Sequence, residues 1–175
     1  MIHKIISRCL STLLLLGSVS LPAFAGHFSP SKVFTMTNSP EGNEVLMFTH
    51  HPYQGLIPSG SFATGGNGTG SGLGNQGAVV ISKSGHWLFV VNAGSNSLSL
   101  FKVGNDSITL LTTVDTAGER PVSVTQHKNK VFVLNAGSDS IAGFKLMYNG
   151  SLELIENSVR SLSGSGVGAA QISFT

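Results

Sequence analysis

Glu119, Arg120 and Pro121 are consecutive, so a carboxylate sits beside a guanidinium just ahead of the apolar-rich stretch VSVTQH at residues 122–127. An arginine so placed can hold a substrate carboxylate through paired hydrogen bonds, or stabilise an enolate-like or tetrahedral oxyanion. A neighbouring acid can move protons. Gln76 stands in the same relation to the run AVVIS at residues 78–82 and can present an amide to the same ligand. The ordinary alternative is that Glu119-Arg120-Pro121 is a polar turn entering a strand.

Other groups of chemically suggestive residues carry less. Gly72-Leu73-Gly74-Asn75-Gln76-Gly77 matches G-x-G-x-x-G in form. Dinucleotide binding needs a strand before those glycines and a helix after them, and here a strand follows. The segment 65–77 reads as a loop. His50-His51-Pro52 resembles a fragment of a metal site, but adjacent residues of a strand point to opposite faces, so a surface turn is the better reading. His86 and His127 fall at strand ends and read as exposed or capping residues. No zinc spacing and no Ser-His-Asp pattern emerges. The sequence calls for no metal and no cofactor.

The chain has 175 residues, yet its start reads as a leader. Lys4 and Arg8 precede the apolar run LSTLLLLGSVSL at residues 10–21, and Ala23-Phe24-Ala25 is an A-x-A cleavage pattern. That run is shorter than the ~20 residues of a membrane-spanning helix. The expectation is a signal peptide over residues 1–25, export to the periplasm or the extracellular space, and no membrane attachment after cleavage. The leader holds two bases and no acid, so removing it leaves eight bases and eight acids. Without a basic surplus, nucleic acid is not an expected partner. The only cysteine, Cys9, lies in the leader, which leaves the remainder without disulfides.

Residues 26–175 must position these groups, and a repeat shows how. LFVVNAGSNSLSLFK at residues 88–102 returns as VFVLNAGSDSIAGFK at residues 131–145, with nine of fifteen positions identical and an offset of 43. Each copy reads as a hairpin, in which Asn, Gly and Ser supply the turn. A weaker copy is VFTMTNSPEGNEVLMF at residues 33–48. Further strands are expected at 61–64, 78–82, 108–115, 122–127, 152–160 with a break, and 170–174. Units of about 40–45 residues with four strands each indicate the blades of a β-propeller. Runs such as LFVV are apolar on both sides, which suits a sheet covered on both faces. The fold class is therefore all-β, a partial propeller of about three blades and twelve strands, with units near 33–64, 78–115 and 122–160 and a final strand at 170–174. A β-sandwich is the other possibility, but it does not demand such repetition.

With LFVVNAGSNSLSLF, GERPVSV, VFVLNAGSDSI and the glycine-rich stretch GSFATGGNGTGSGLGNQG, the chain resembles the N-terminal part of secreted lactonase-like seven-bladed propellers with YVTN-type repeats. These are related to 6-phosphogluconolactonase and carboxymuconate cyclase enzymes. The resemblance implies hydrolysis or formation of a sugar or muconate-type lactone, with Arg120 and Glu119 as catalytic candidates and Gln76 and Arg120 as substrate-binding ones. Many such relatives carry a histidine directly after the proline matching Pro121, where this chain has Val122. The alternative is a non-catalytic module that binds a ligand or a protein. Seven blades at the observed spacing need about 300 residues, so the chain is expected either to be a truncated relative or to associate. Association predicts a two-chain ring of six blades, in which residues 170–174 of each copy complete the first blade of the other.

Overall fold

The computed structural model describes residues 30–175, and the expected leader at 1–25 lies outside them. Every regular element among the described residues is a strand. The first sheet has three strands in chain order, β1 (Ser31–Met36), β2 (Glu44–His51) and β3 (Gly55–Ala63). The second has four, β4 (Val79–Ile81), β5 (Trp87–Asn92), β6 (Ser97–Val103) and β7 (Ile108–Asp115). The third runs through β8 (Pro121–His127), β9 (Lys130–Asn135), β10 (Ser140–Leu146) and β11 (Leu152–Leu154), with β12 (Arg160–Ser161) also on β10. All pairings are antiparallel, and all but that of β12 with β10 join sequence neighbours. Among the described residues this is a partial propeller of three blades, the first of them without an innermost strand.

Alternation along β5 shows why the blades stack. Phe89 and Val91 point one way, into a core shared with Val124, Val131 and Val133 of the third blade. Leu88 and Val90 point the other way, against Val45 of the first blade, with Phe34 and Met36 packed around them. All four β5 side chains are at most 1% exposed. A strand apolar on both faces needs a neighbour on each side. The middle blade has two, and its continuous apolar run follows from that.

The repeat extends to irregularities. In the first blade the register slips between Met47 and Phe48, and Ser59 is the extra residue on β3. In the second it slips between Leu100 and Phe101, and Leu111 is extra on β7. These sites are equivalent, because Val45 pairs Met36 as Leu98 pairs Val91. The corresponding site in the third blade is Gly143. There the outer strand breaks altogether into β11, opposite Phe144–Leu146, and β12, opposite Ser140 and Ile141. The intervening residues return to the strand through Ile155 N–H on the Gly143 carbonyl at 2.8 Å and Ser158 Oγ accepting from Gly143 N–H at 3.0 Å. A bulge adds local twist to an outer strand, and all three blades place theirs at one level.

Two expectations need correction. Residues 170–174 form no ladder. They lie extended beside β8, with Ile172 N–H donating to Ser123 Oγ at 3.2 Å and Phe174 N–H to Thr125 Oγ1 at 3.3 Å. Side-chain acceptors stand in for a strand edge there, so the twelfth strand is β12 instead. His50 and His51 are also not in a turn. They end β2, opposite Leu56 and Gly55, and the turn lies between them and β3.

The stacking argument predicts a severe cost for Phe89→Ala. Truncating a fully buried aromatic ring should remove about 3–5 kcal/mol. Urea unfolding followed by far-UV circular dichroism should show the midpoint collapse, or no cooperative transition at all.

Candidate functional site

The Asn-Ala-Gly-Ser turns that join the second and third strands of a blade have a task that their turn chemistry did not reveal. Each receives the loop leaving the preceding blade. After β3, Asn67 N–H donates to Ser95 Oγ at 2.9 Å and the Asn67 carbonyl accepts from Gly94 N–H at 2.9 Å. After β7, Glu119 N–H donates to Ser138 Oγ at 3.0 Å and its carbonyl accepts from Gly137 N–H at 2.9 Å. Asn67 and Glu119 are thus the same position in successive interfaces. The turn glycines are required sterically, since a Cβ on Gly94 would lie 2.0 Å from the Gly68 carbonyl oxygen. A Cβ on Gly137 would meet Glu119 and Arg120 at 3.0 Å.

Buried polar side chains pin the same joints. Thr64 donates from N–H and from Oγ1 to the Asn43 carbonyl, both at 2.9 Å, and Thr116 does the same to Asn96 at 2.9 and 3.0 Å. Asn92, wholly buried, donates to Ser97 Oγ at 3.1 Å and Ser99 Oγ at 2.8 Å and accepts from Asn43 Nδ2 at 2.9 Å. Its counterpart Asn135 donates to the Thr116 carbonyl at 3.1 Å. At this second interface Asn96 directs its Oδ1 to Arg120 N–H, at 2.8 Å, and Asn135 Oδ1 is left buried without a partner.

Glu119 and Arg120 are therefore held through their backbones. The Arg120 carbonyl accepts from Ala136 N–H at 3.0 Å, and its φ of 51° lies in the left-handed region. Both side chains are exposed. The result is an arginine and a glutamate, adjacent in the chain and held by their backbones, at the end of the blades where the inner strands begin. Gln76 reaches the same end. Asn75 Nδ2 donates to the Val122 carbonyl, Val124 N–H donates to the Gly77 carbonyl at 2.9 Å, and Gln76 N–H donates to the Ala170 carbonyl at 3.1 Å. Gln76 is exposed as well. The structure so brings the lead-ins of β4, β8 and residues 170–174 to one place. Val122 is 1% exposed and sits on a bulge, between Pro121 opposite Asn135 and Ser123 opposite Leu134. It offers no proton.

The remaining candidates scatter. The glycine-rich segment is a connector between the first two blades, tied down by Asn38, whose Oδ1 accepts from Thr69 N–H at 3.0 Å and whose Nδ2 donates to the Ser71 carbonyl at 2.7 Å. His86 is exposed, and His127 packs its ring against Phe174 with centroids 5.5 Å apart. Among the described residues no group of three or more His, Cys, Asp or Glu is arranged to hold a metal ion.

Antiparallel blades packed face to face define a propeller fold. The sequence matches the profile of the family described as Lactonase, 7-bladed beta-propeller over residues 28–167, and the chain belongs to that family. Solved structures share the fold. A periplasmic gluconolactonase of Pseudomonas aeruginosa aligns with a TM-score of 0.58 and 22% identity, over 78% of this chain and 41% of its own. A Bacteroides fragilis protein provisionally described as a 6-phosphogluconolactonase aligns with a TM-score of 0.58 and 20% identity, over 81% of this chain and 39% of its own. A functionally unknown protein from Desulfotomaculum acetoxidans gives a TM-score of 0.56 and 22% identity, over 67% of this chain and 35% of its own. The chain spans about two fifths of these structures or less. No curated protein matches it in sequence.

The latch gives a discriminating pair of substitutions. A Cβ at Gly118 would lie 2.4 Å from Asn135 Nδ2 and 2.7 Å from Ser138 Oγ, whereas one at Gly72 meets nothing within 4 Å. Gly118→Ala should cost about 1–3 kcal/mol by overpacking, and Gly72→Ala should leave the urea midpoint within error of the parent.

Proposed function

We propose that this chain is an exported lactonase-type propeller protein whose site lies where the β4 and β8 lead-ins meet. In hydrolysis, water adds to the lactone carbonyl, the carbonyl oxygen takes up negative charge, and the ring C–O bond then breaks to leave a hydroxy acid. Arg120 has the charge to stabilise that oxyanion or to hold a substrate carboxylate. Glu119 can accept the proton of the attacking water and return it to the ring oxygen as the C–O bond breaks. Gln76 can orient a sugar or muconate-type lactone through its amide. Neither metal nor cofactor enters this reading. Export rests on the leader pattern, and the fold shared with a periplasmic gluconolactonase is compatible with it.

The observation that carries the proposal is the fixed Arg120 backbone. Asn96 Oδ1 and Ala136 N–H hold it while the guanidinium stays exposed at the mouth. One observation favours a second reading, in which the site binds a lactone or hydroxy acid without turning it over. The residue after Pro121 is Val122, buried and unable to transfer a proton.

A panel of sugar and muconate-type lactones, followed by acid release at constant pH, separates the two. Turnover is expected, and Arg120→Ala should lower kcat/KM by about 10²–10³-fold, the scale of losing one oxyanion-stabilising group. Unchanged turnover in Arg120→Ala removes the proposed site. Absence of turnover, with calorimetric binding of the hydroxy acid that Arg120→Ala abolishes, establishes the binding reading.

A further inference from the structure

Charge is divided between the two ends of the blades. Among the described residues the lysines are Lys32, Lys83, Lys102, Lys128, Lys130 and Lys145, and all fall at the end opposite Arg120. Strand register gathers them there, since Trp87 pairs Lys102, His127 pairs Lys130, and Lys130 pairs Lys145. Lys83 stands in the β4–β5 turn and Lys128 in the β8–β9 turn. Lys32 brings the first blade to the same level, its Nζ donating to the Gly104 carbonyl of the β6–β7 turn at 2.6 Å. The carboxylates at this end are Asp106 and Glu153. The Arg120 end instead carries Glu41, Glu44, Asp115, Glu119 and Asp139, with Arg160 as its other cation. Glu156, between β11 and β12, belongs to neither end.

At one point the arrangement works against folding. Lys130 directly faces Lys145 across β9 and β10, and like charges so placed repel. Glu153, opposite Lys145 on its other side, answers one of the two. The lysine end also holds the one tryptophan and both tyrosines of the chain. Tyr53 and Tyr148 stand fully exposed in the β2–β3 and β10–β11 turns, and Ile81, at the end of β4, is 47% exposed. Trp87 lies half-buried between two hollows of about 500 Å³ each. Lys83, His127 and Lys128 line the first, with no carboxylate, and Lys145, Met147 and Tyr148 line the second. Rings with one apolar and one polar edge suit a boundary between water and an apolar phase. Lysine stems can lie on such a boundary while their ammonium groups reach phosphates.

We infer that the lysine-bearing end of the blades docks on an anionic phospholipid surface. The lysines meet headgroup phosphates, Trp87, Tyr148 and Ile81 enter the headgroup layer, and the end with Arg120 faces away. Clustered cations alone would suit a soluble polyanion equally well. The aromatic and aliphatic side chains between them favour lipid, because a polyanion in water offers no apolar layer to receive them. Among the described residues no helix is long and apolar enough to cross a membrane. The contact is peripheral, of the kind that basic clusters make with anionic leaflets. Blades pack face to face, so neighbours on their flanks leave their ends open. This inference does not rest on the catalytic proposal, and its test reads lipid binding rather than turnover.

Trp87 is the only tryptophan of the chain, so its emission reports on this end. Vesicles of equimolar phosphatidylglycerol and phosphatidylcholine are titrated into the purified protein, beside vesicles of phosphatidylcholine alone. All chains compared share one N-terminus. The anionic vesicles should move Trp87 emission to shorter wavelength, and lipid brominated in its acyl chains should quench it. Neutral vesicles should do neither. Each lysine near an anionic surface favours partitioning about fivefold, so Lys83→Gln combined with Lys128→Gln should weaken it roughly 10–30-fold. Arg160→Gln, at the other end, should leave it within error, with the circular dichroism of every variant matching the parent. Added salt should weaken binding by screening. Binding that ignores the lysine pair, that leaves Trp87 emission unchanged, or that is equal on neutral vesicles overturns the inference. So does no binding to either vesicle. Binding to dextran sulfate in solution as tight as to the anionic vesicles also overturns it, and makes the partner a soluble polyanion.

Discussion

The apolar side chains of β5 and β6 face two ways at once, and the remaining architecture answers that constraint. Phe89, Val91, Leu98 and Leu100 need a cover on one side, and Leu88, Val90 and Phe101 need one on the other. A single sheet can satisfy neither set. Placing one like sheet on each flank satisfies both, and the requirement then passes outward to the flanks themselves. Propellers meet that regress by closing on themselves. Among the described residues the middle blade is the one flanked on both faces.

Apolar burial has no direction, so something else must set the angle at which blades meet. Here it is a repeated polar joint. Thr64 and Thr116 cap the turn carbonyls of Asn43 and Asn96, while Gly94 and Gly137 let the preceding loop lie directly on the turn. Buried amides with defined partners are specific where hydrocarbon contacts are not. The second joint is less complete than the first. At the first joint Asn43 Nδ2 donates to Asn92 Oδ1, whereas at the second Asn135 Oδ1 has no partner. An unmet buried acceptor costs stability. At this joint Asn96 Oδ1 accepts from Arg120 N–H, so the joint also holds the backbone of the candidate arginine. The conformation of Arg120, with φ of 51°, belongs to that arrangement.

Family membership and chemistry stand at different distances from these observations. The fold follows from blades, joints and a profile match covering residues 28–167. Chemistry depends on a few side chains, and one position is unlike the pattern the resemblance implied. Val122 is part of the packed interior at a bulge, where Ser123 and Pro121 hold the register on either side. A fold can keep its packing while its site changes, because the two are fixed by different residues.

By itself the sequence determined the blades. A 43-residue echo, turn residues between apolar runs, and runs apolar on both faces specify hairpins that must stack, because period and burial are written into neighbouring residues. The break in the outer strand of the third blade was legible too, and the structure places it at the level of the two bulges. The use of Asn-Ala-Gly-Ser was not. Ser95 meets Asn67, and Ser138 meets Glu119, only once two blades are side by side, and nothing local in either segment records a partner 19 or 28 residues away. Residues 170–174 read as a strand from sequence but form no ladder among the described residues, for the same reason. Their alternation is that of a strand, but a ladder requires a second backbone edge, and only the tertiary structure decides whether one is within reach.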